Sequence, residues 1–127
     1  KLIDDLSKML AIFISSSQAN IRYLGLESMC KLALRHDLSK HENKILSNLD
    51  DGDVSIRKRA LDLLYMICNS RNASEIVAQL LGYLENRNDP LIKDDLVLKI
   101  AILAEKFAEN LKWYVDVVVK LMKNAEV

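Results

Sequence analysis

One phrase occurs three times in this chain, and it limits the possible architectures more than any other feature. The copies are QANIRYLGL from Gln18, DVSIRKRAL from Asp53 and DPLIKDDLV from Asp89. In each, a polar residue is followed three positions on by isoleucine and four positions on by a basic residue. The sets are Gln18, Ile21 and Arg22; Asp53, Ile56 and Arg57; and Asp89, Ile92 and Lys93, with Pro90 directly after the third polar residue. The isoleucines recur at spacings of 35 and 36 residues. A period of that length marks stacked supersecondary units, each needing a neighbour to cover its apolar face.

Composition narrows the class further. Half of the 127 residues are apolar, while three glycines and one proline leave little material for the turns of a β-rich fold. Eighteen basic residues balance eighteen acidic ones, so no net field favours nucleic acid as a partner. No apolar run approaches the roughly 18 residues of a membrane span, and no secretory or transit segment is recognisable. The chain opens on Lys1 rather than methionine and is read as an excerpt of a longer protein. Cys30 and Cys68 lie in apolar helical stretches and are expected as buried, reduced thiols of a cytoplasmic protein.

Apolar periodicity is helical throughout and predicts seven helices: Leu2–Ile14, Ala19–Leu34, Ser39–Leu49, Val54–Asn69, Ala73–Glu85, Pro90–Ala108 and Leu111–Lys123. Polar clusters separate them, and their side chains can accept bonds from the free N–H groups of the next helix. At Asp89-Pro90, Asp is expected as the cap and Pro as the first helical residue, where its missing donor and fixed φ both fit. Ser39–Leu49 has a narrow apolar stripe of Ile45, Leu46 and Leu49, the pattern of a helix covered on one side. Val54–Asn69 and Pro90–Ala108 are apolar around most of their circumference and are expected as inner helices. The resulting fold class is all-α, a HEAT/armadillo-like α-solenoid of about three and a half helix pairs forming one segment over residues 1–127.

No constellation specifies catalysis. There is no nucleophile elbow, phosphate-binding glycine loop or HExxH sequence. His36 and His41 read as solvated side chains rather than zinc ligands, which require an ordered set of four. Arg57, Lys58 and Arg59 fan around a helix instead of forming a stripe. Arg57 follows Asp53, and Lys93 follows Asp89, at the spacing of helix-surface ion pairs. The repeat residues Gln18, Ile21, Arg22, Asp53, Ile56, Arg57, Asp89, Pro90, Ile92 and Lys93 are therefore assigned a structural role, and no cofactor or metal is expected. Trp113-Tyr114 and the valines after them are expected to pack on the preceding helix.

Beyond the period, NIRYLGLESMCKLA (residues 20–33), DVSIRKRALDLLYMICN (53–69) and LVLKIAILAEKFAENLKWYVDVVVKL (96–121) resemble the adaptins, the large subunits of clathrin adaptors. RYLGLESMC, RALDLLYMIC and LKIAILAEKFA…WYVD are the most specific pieces, and the last is nearest the alpha class, which serves endocytosis. This resemblance runs from about Leu10 onward. It implies a trunk segment that scaffolds a small, a medium and a second large subunit in vesicle-mediated transport, cytoplasmic and touching the membrane of coated pits only through the whole complex. The family's phosphoinositide, clathrin and accessory-protein elements match no stretch here. Residues 35–41 and 86–88 depart most from the family pattern. Period and helix starts alone would equally suit another HEAT-type scaffold, such as another adaptin, a coatomer subunit, a transport receptor or a kinase or phosphatase regulatory subunit.

Overall fold

The structure, a computed structural model, describes residues 1–125. Among them are seven α-helices and two 3-10 turns, with no strand. The chain divides into two compact units, residues 1–67 and residues from Cys68 onward.

In the first unit α1 (Leu2–Phe13) packs on α2 (Ala19–Ala33), α3 (Glu42–Ser47) packs on α4 (Val54–Ile67), and α2 packs on α4. Two helical hairpins thus stack through their second helices, the packing unit of an α-solenoid. α2 packs on α4, and Leu26 and Met29 of α2 and Ile56, Leu61 and Leu64 of α4 are all 0% exposed. Each such burial is worth about 1.5–3 kcal/mol relative to an exposed side chain. Gly25 sets the approach of α2 to the end of α1. A Cβ there would lie 2.8 Å from the Phe13 Cβ and 2.9 Å from the Ile14 Cγ2.

The second unit contains α5 (Ala73–Asn86), α6 (Lys93–Phe107) and α7 (Leu111–Ala125), with α6 contacting both others and α5 touching α7. Ile76, Leu80, Leu96, Ile100, Leu103 and Leu121 are among the residues of its core. Trp113 and Tyr114 are half-buried, while Val117 and Leu121, one and two turns on, seat α7 against its neighbours.

Three expectations need correction. The stretch Ser39–Leu49 is not one helix: α3 has six residues, preceded by a 3-10 turn at Ser39–His41 and followed by another at Asn48–Asp50. Side chains compete with the backbone here. Ser47 Oγ at 2.7 Å and Asn48 Nδ2 at 2.9 Å both donate to the Lys44 carbonyl, which ends the regular ladder. Pro90 is not the first residue of α6. Asp89 Oδ1 accepts the Leu91 N–H at 3.2 Å, Pro90–Ile92 form a turn, and Ile92 sits at φ −121°, ψ 3°, outside helical geometry. Asp followed by Pro suits the first two positions of a type I turn as well as a helix start. Finally, α6 is not buried all round. Its buried residues form one face, and Leu98 and Ile102 remain 58% and 37% exposed.

Candidate functional site

Two copies of the repeated phrase converge on one aspartate that the periodicity does not single out. Arg22 Nε donates to Asp51 Oδ2 at 2.6 Å, and its Nη1 donates to the Ser16 carbonyl at 3.0 Å. Asp51 Oδ1 accepts the Asp53 N–H at 2.9 Å, and the Asp51 carbonyl accepts Arg57 Nη1 at 2.8 Å. Each arginine therefore reaches back six residues to the connection before its own helix, and Asp51 joins the two connections. Burial by itself would raise the Asp51 carboxyl. Hydrogen bonds from Arg22 and the Asp53 N–H, together with the Arg22 charge, more than cancel that and hold it below its ordinary 3.8.

Other phrase residues do what their positions suggest. Ile56 and Ile92 are 0% and 1% exposed, whereas Ile21 is half-buried. Asp53 caps α4, its Oδ1 accepting the Ser55 N–H at 2.9 Å and the Ser55 hydroxyl at 2.6 Å. Those bonds, the hydroxyl's first, lower its carboxyl. Gln18 holds the N-cap position of α2 in extended geometry without a side-chain cap bond. In the third copy Asp89 accepts the Tyr83 hydroxyl at 3.0 Å and the Leu91 N–H, while Lys93 opens α6. The partner found for Arg22 lies 29 residues away, so in the first copy the basic residue works across repeats. The signal was the additional acid in Asp50-Asp51-Gly52-Asp53.

A second junction joins α2 to α4 on another face. Arg59 Nη2 donates to the Tyr23 hydroxyl at 3.3 Å, and its guanidinium stands 5.8 Å from the Tyr23 ring centre. Cys30 sits beside it with Sγ 4.0 Å from the Arg59 carbonyl, and burial pushes the thiol up to about 11. Cys68 is half-buried rather than buried. His41 also departs from expectation. It is 9% exposed, with Nε2 3.2 Å from Ser7 Oγ.

Among the described residues no three His, Cys, Asp or Glu side chains are grouped to hold a metal ion, and no helix is long and apolar enough to cross a membrane. Open depressions among the described residues include two near helix ends. One, of about 470 Å³, is lined by Ile12, Phe13, Ser15, Ser16, Ile21 and Lys44. The other, of about 420 Å³, lies where α6 passes into α7 around Glu105, Asn110 and Tyr114. Neither brings a nucleophile to a base. The most developed polar arrangement among the described residues is the joint at Asp51 between repeats.

The fold and its joints define an all-α repeat scaffold of the HEAT/armadillo-like class. Within that class the chain belongs to the adaptin family: it matches the adaptin N terminal region over residues 1–127. It is 48% identical over 121 residues to AP-2 complex subunit alpha-1 of Arabidopsis thaliana, covering 92% of this chain and 12% of that protein. It is 47% identical over 129 residues to AP-2 complex subunit alpha-2 of Dictyostelium discoideum, covering 98% and 13%. Against AP-2 complex subunit alpha of Schizosaccharomyces pombe the identity is 44% over 120 residues, covering 91% and 14%. The chain thus spans about an eighth of the length of these relatives.

Proposed function

We propose that this chain is a stretch of the trunk of a clathrin-adaptor large subunit of the alpha class, and that it acts as a non-catalytic scaffold. Its task is to keep successive helical repeats in fixed register so that a small, a medium and a second large subunit can assemble on the trunk for endocytic transport. The observation that carries this reading is the Asp51 joint within a sequence of adaptin type over its full length. A joint made of charge-assisted bonds and short arginine-to-carbonyl contacts resists bending between neighbouring repeats. Such resistance suits a surface that must present several partners at once.

The test is co-expression of the parent large subunit containing this segment with the other three subunits, followed by size-exclusion chromatography. Co-elution of all four at equal stoichiometry is expected. A parent subunit that elutes alone, while the remaining three are well folded, sinks the assembly reading.

A further inference from the structure

His41 and its neighbour form a clasp on α1 that the repeat joint does not require. His41 Nε2 meets Ser7 Oγ at 3.2 Å, and Lys40 Nζ binds Asp4 Oδ1, so two adjacent residues of the 3-10 turn hold two residues three apart on α1. Ser7 is 1% exposed. Its hydroxyl donates to the Asp4 carbonyl at 2.9 Å, which uses the only proton Oγ has. Oγ must then accept from the ring, so neutral His41 carries its proton on Nε2 and has only Nδ1 left to take a second.

We propose that this clasp is an acid-sensitive latch, in which protonation of His41 releases α1 from the turn before α3 while the α2–α4 packing stays closed. The charges that act on the ring are Lys40 on its own turn and Lys44 on α3, while Glu42 follows it at the start of α3 and Asp4 and Lys8 lie on α1, the helix the clasp holds. Asp4 is already shared between Lys40 and Lys8, the latter at 3.3 Å. Burial opposes the charged ring most, and the two cations Lys40 and Lys44 push the same way, so the imidazole titrates below its ordinary 6.5. Because the folded value lies below the unfolded one, the opened state binds the proton more readily. The clasp is fully effective above pH 6.5 and weakens as pH falls toward the folded value.

Both routes of relief loosen α1. Lys40 cannot swing away from the imidazolium without leaving Asp4, and although protonation at Nδ1 keeps the Nε2–H bond to Ser7, the buried charge gains more water as the ring moves off Ser7. The rest of the hold on α1 is slight, since the helix buries only Ser7, Leu10 and Ala11, whereas α4 buries six residues. Elements with few buried contacts open first.

The experiment is amide hydrogen exchange on the whole chain, read by NMR as protection factors between about pH 7.5 and 5.5, the range in which histidine changes charge. In the wild type, the amides of Leu10 and Ala11 are expected to lose protection on acidification relative to those of Leu61 and Leu64. His41→Gln keeps an N–H donor and does not titrate, so its α1 protection should stay level. Ser7→Ala should open α1 already at neutral pH. Imidazole resonances should report the Nε2–H tautomer at neutral pH. Parallel loss of protection in α1 and α4 of the wild type overturns the latch, even if a variant fails to fold. So does an unchanged acid response in His41→Gln, or an Nδ1–H tautomer.

Discussion

Arg22 Nε lies 2.6 Å from Asp51 Oδ2, tying the first turn of α2 to the connection that launches α4. The side chains are 21% and 8% exposed, so each charge has surrendered much of its water to the other. Removing one partner strands the second. Breaking a buried pair costs about 3–5 kcal/mol, and the residual exposure of Arg22 places Arg22→Ala near the lower end of that range. Arg22→Lys should cost less, because charge survives while the second bond, to Ser16, is lost. A double-mutant cycle with Asp51→Ala, measured by urea unfolding, should return a coupling energy above about 1 kcal/mol. Additive losses would show that the contact is incidental.

The same pair predicts an acid limb. The folded carboxyl of Asp51 is depressed below 3.8, so the stability it supplies is present above that pH and disappears as pH falls from 3.8 through the folded value. Asp51→Asn keeps an acceptor but cannot titrate. Unfolding free energies across about pH 2.5 to 5 should therefore fall more steeply for the wild type than for Asp51→Asn. Equal slopes would assign the acid limb to other carboxylates.

Cys30 should be nearly inert. Burial raises its thiol from 9.0 to about 11, which lowers the thiolate fraction at neutral pH by roughly a hundredfold, and thiolate is the reactive form. Alkylation of the folded chain followed by peptide mass spectrometry should label the half-buried Cys68 well before Cys30. Equal labelling in native conditions would mean that α2 separates from α4 on the timescale of the reaction.

Ile56→Asp should damage the protein far more than Lys58→Asp. Ile56 is 0% exposed and occupies the repeated apolar position, so the new carboxylate would be buried without a partner at a cost of several kcal/mol. Lys58 is exposed, and a surface charge change there should stay within about half a kcal/mol. Thermal melts of the two variants that coincide would undo the alignment of the repeats.

Helix existence was legible because amphipathic spacing is a local signal. All seven α-helices overlap the stretches that periodicity marks, although α3 is shorter and α6 starts later than expected, and Val54 and Ala73 are correct starting residues. What failed depended on competition the period does not encode. Whether Lys44's carbonyl is claimed by the ladder or by Ser47 and Asn48 decides the length of α3, and either outcome fits the same polar letters. Asp89-Pro90 was ambiguous for a related reason, since a turn and a helix start share the same first two residues. The joint stayed hidden because it is non-local. Arg22 follows Gln18 and has no acid four positions before it, and only the stacking of α2 on α4 brings Asp51 under Arg22. His41 was misread likewise, because Ser7 comes to it from 34 residues away.

That joint also bears on membrane binding. Arg57, Lys58 and Arg59 are the densest basic run in the chain, yet the structure disperses them. Arg57 donates to the Asp51 carbonyl, Arg59 is stacked on Tyr23 with Asp62 3.9 Å away, and Lys58 points into solvent between them. A multiply charged lipid headgroup needs several cations converging on one spot, and with zero net charge no wider field compensates. The isolated chain should therefore remain in the supernatant with liposomes at physiological salt, with or without phosphoinositide. Any binding by the parent complex would have to use other parts of it. Phosphoinositide-dependent pelleting that is lost in the triple variant Arg57→Ala, Lys58→Ala, Arg59→Ala would instead make this run a membrane site, and the scaffold-only reading would have to be abandoned.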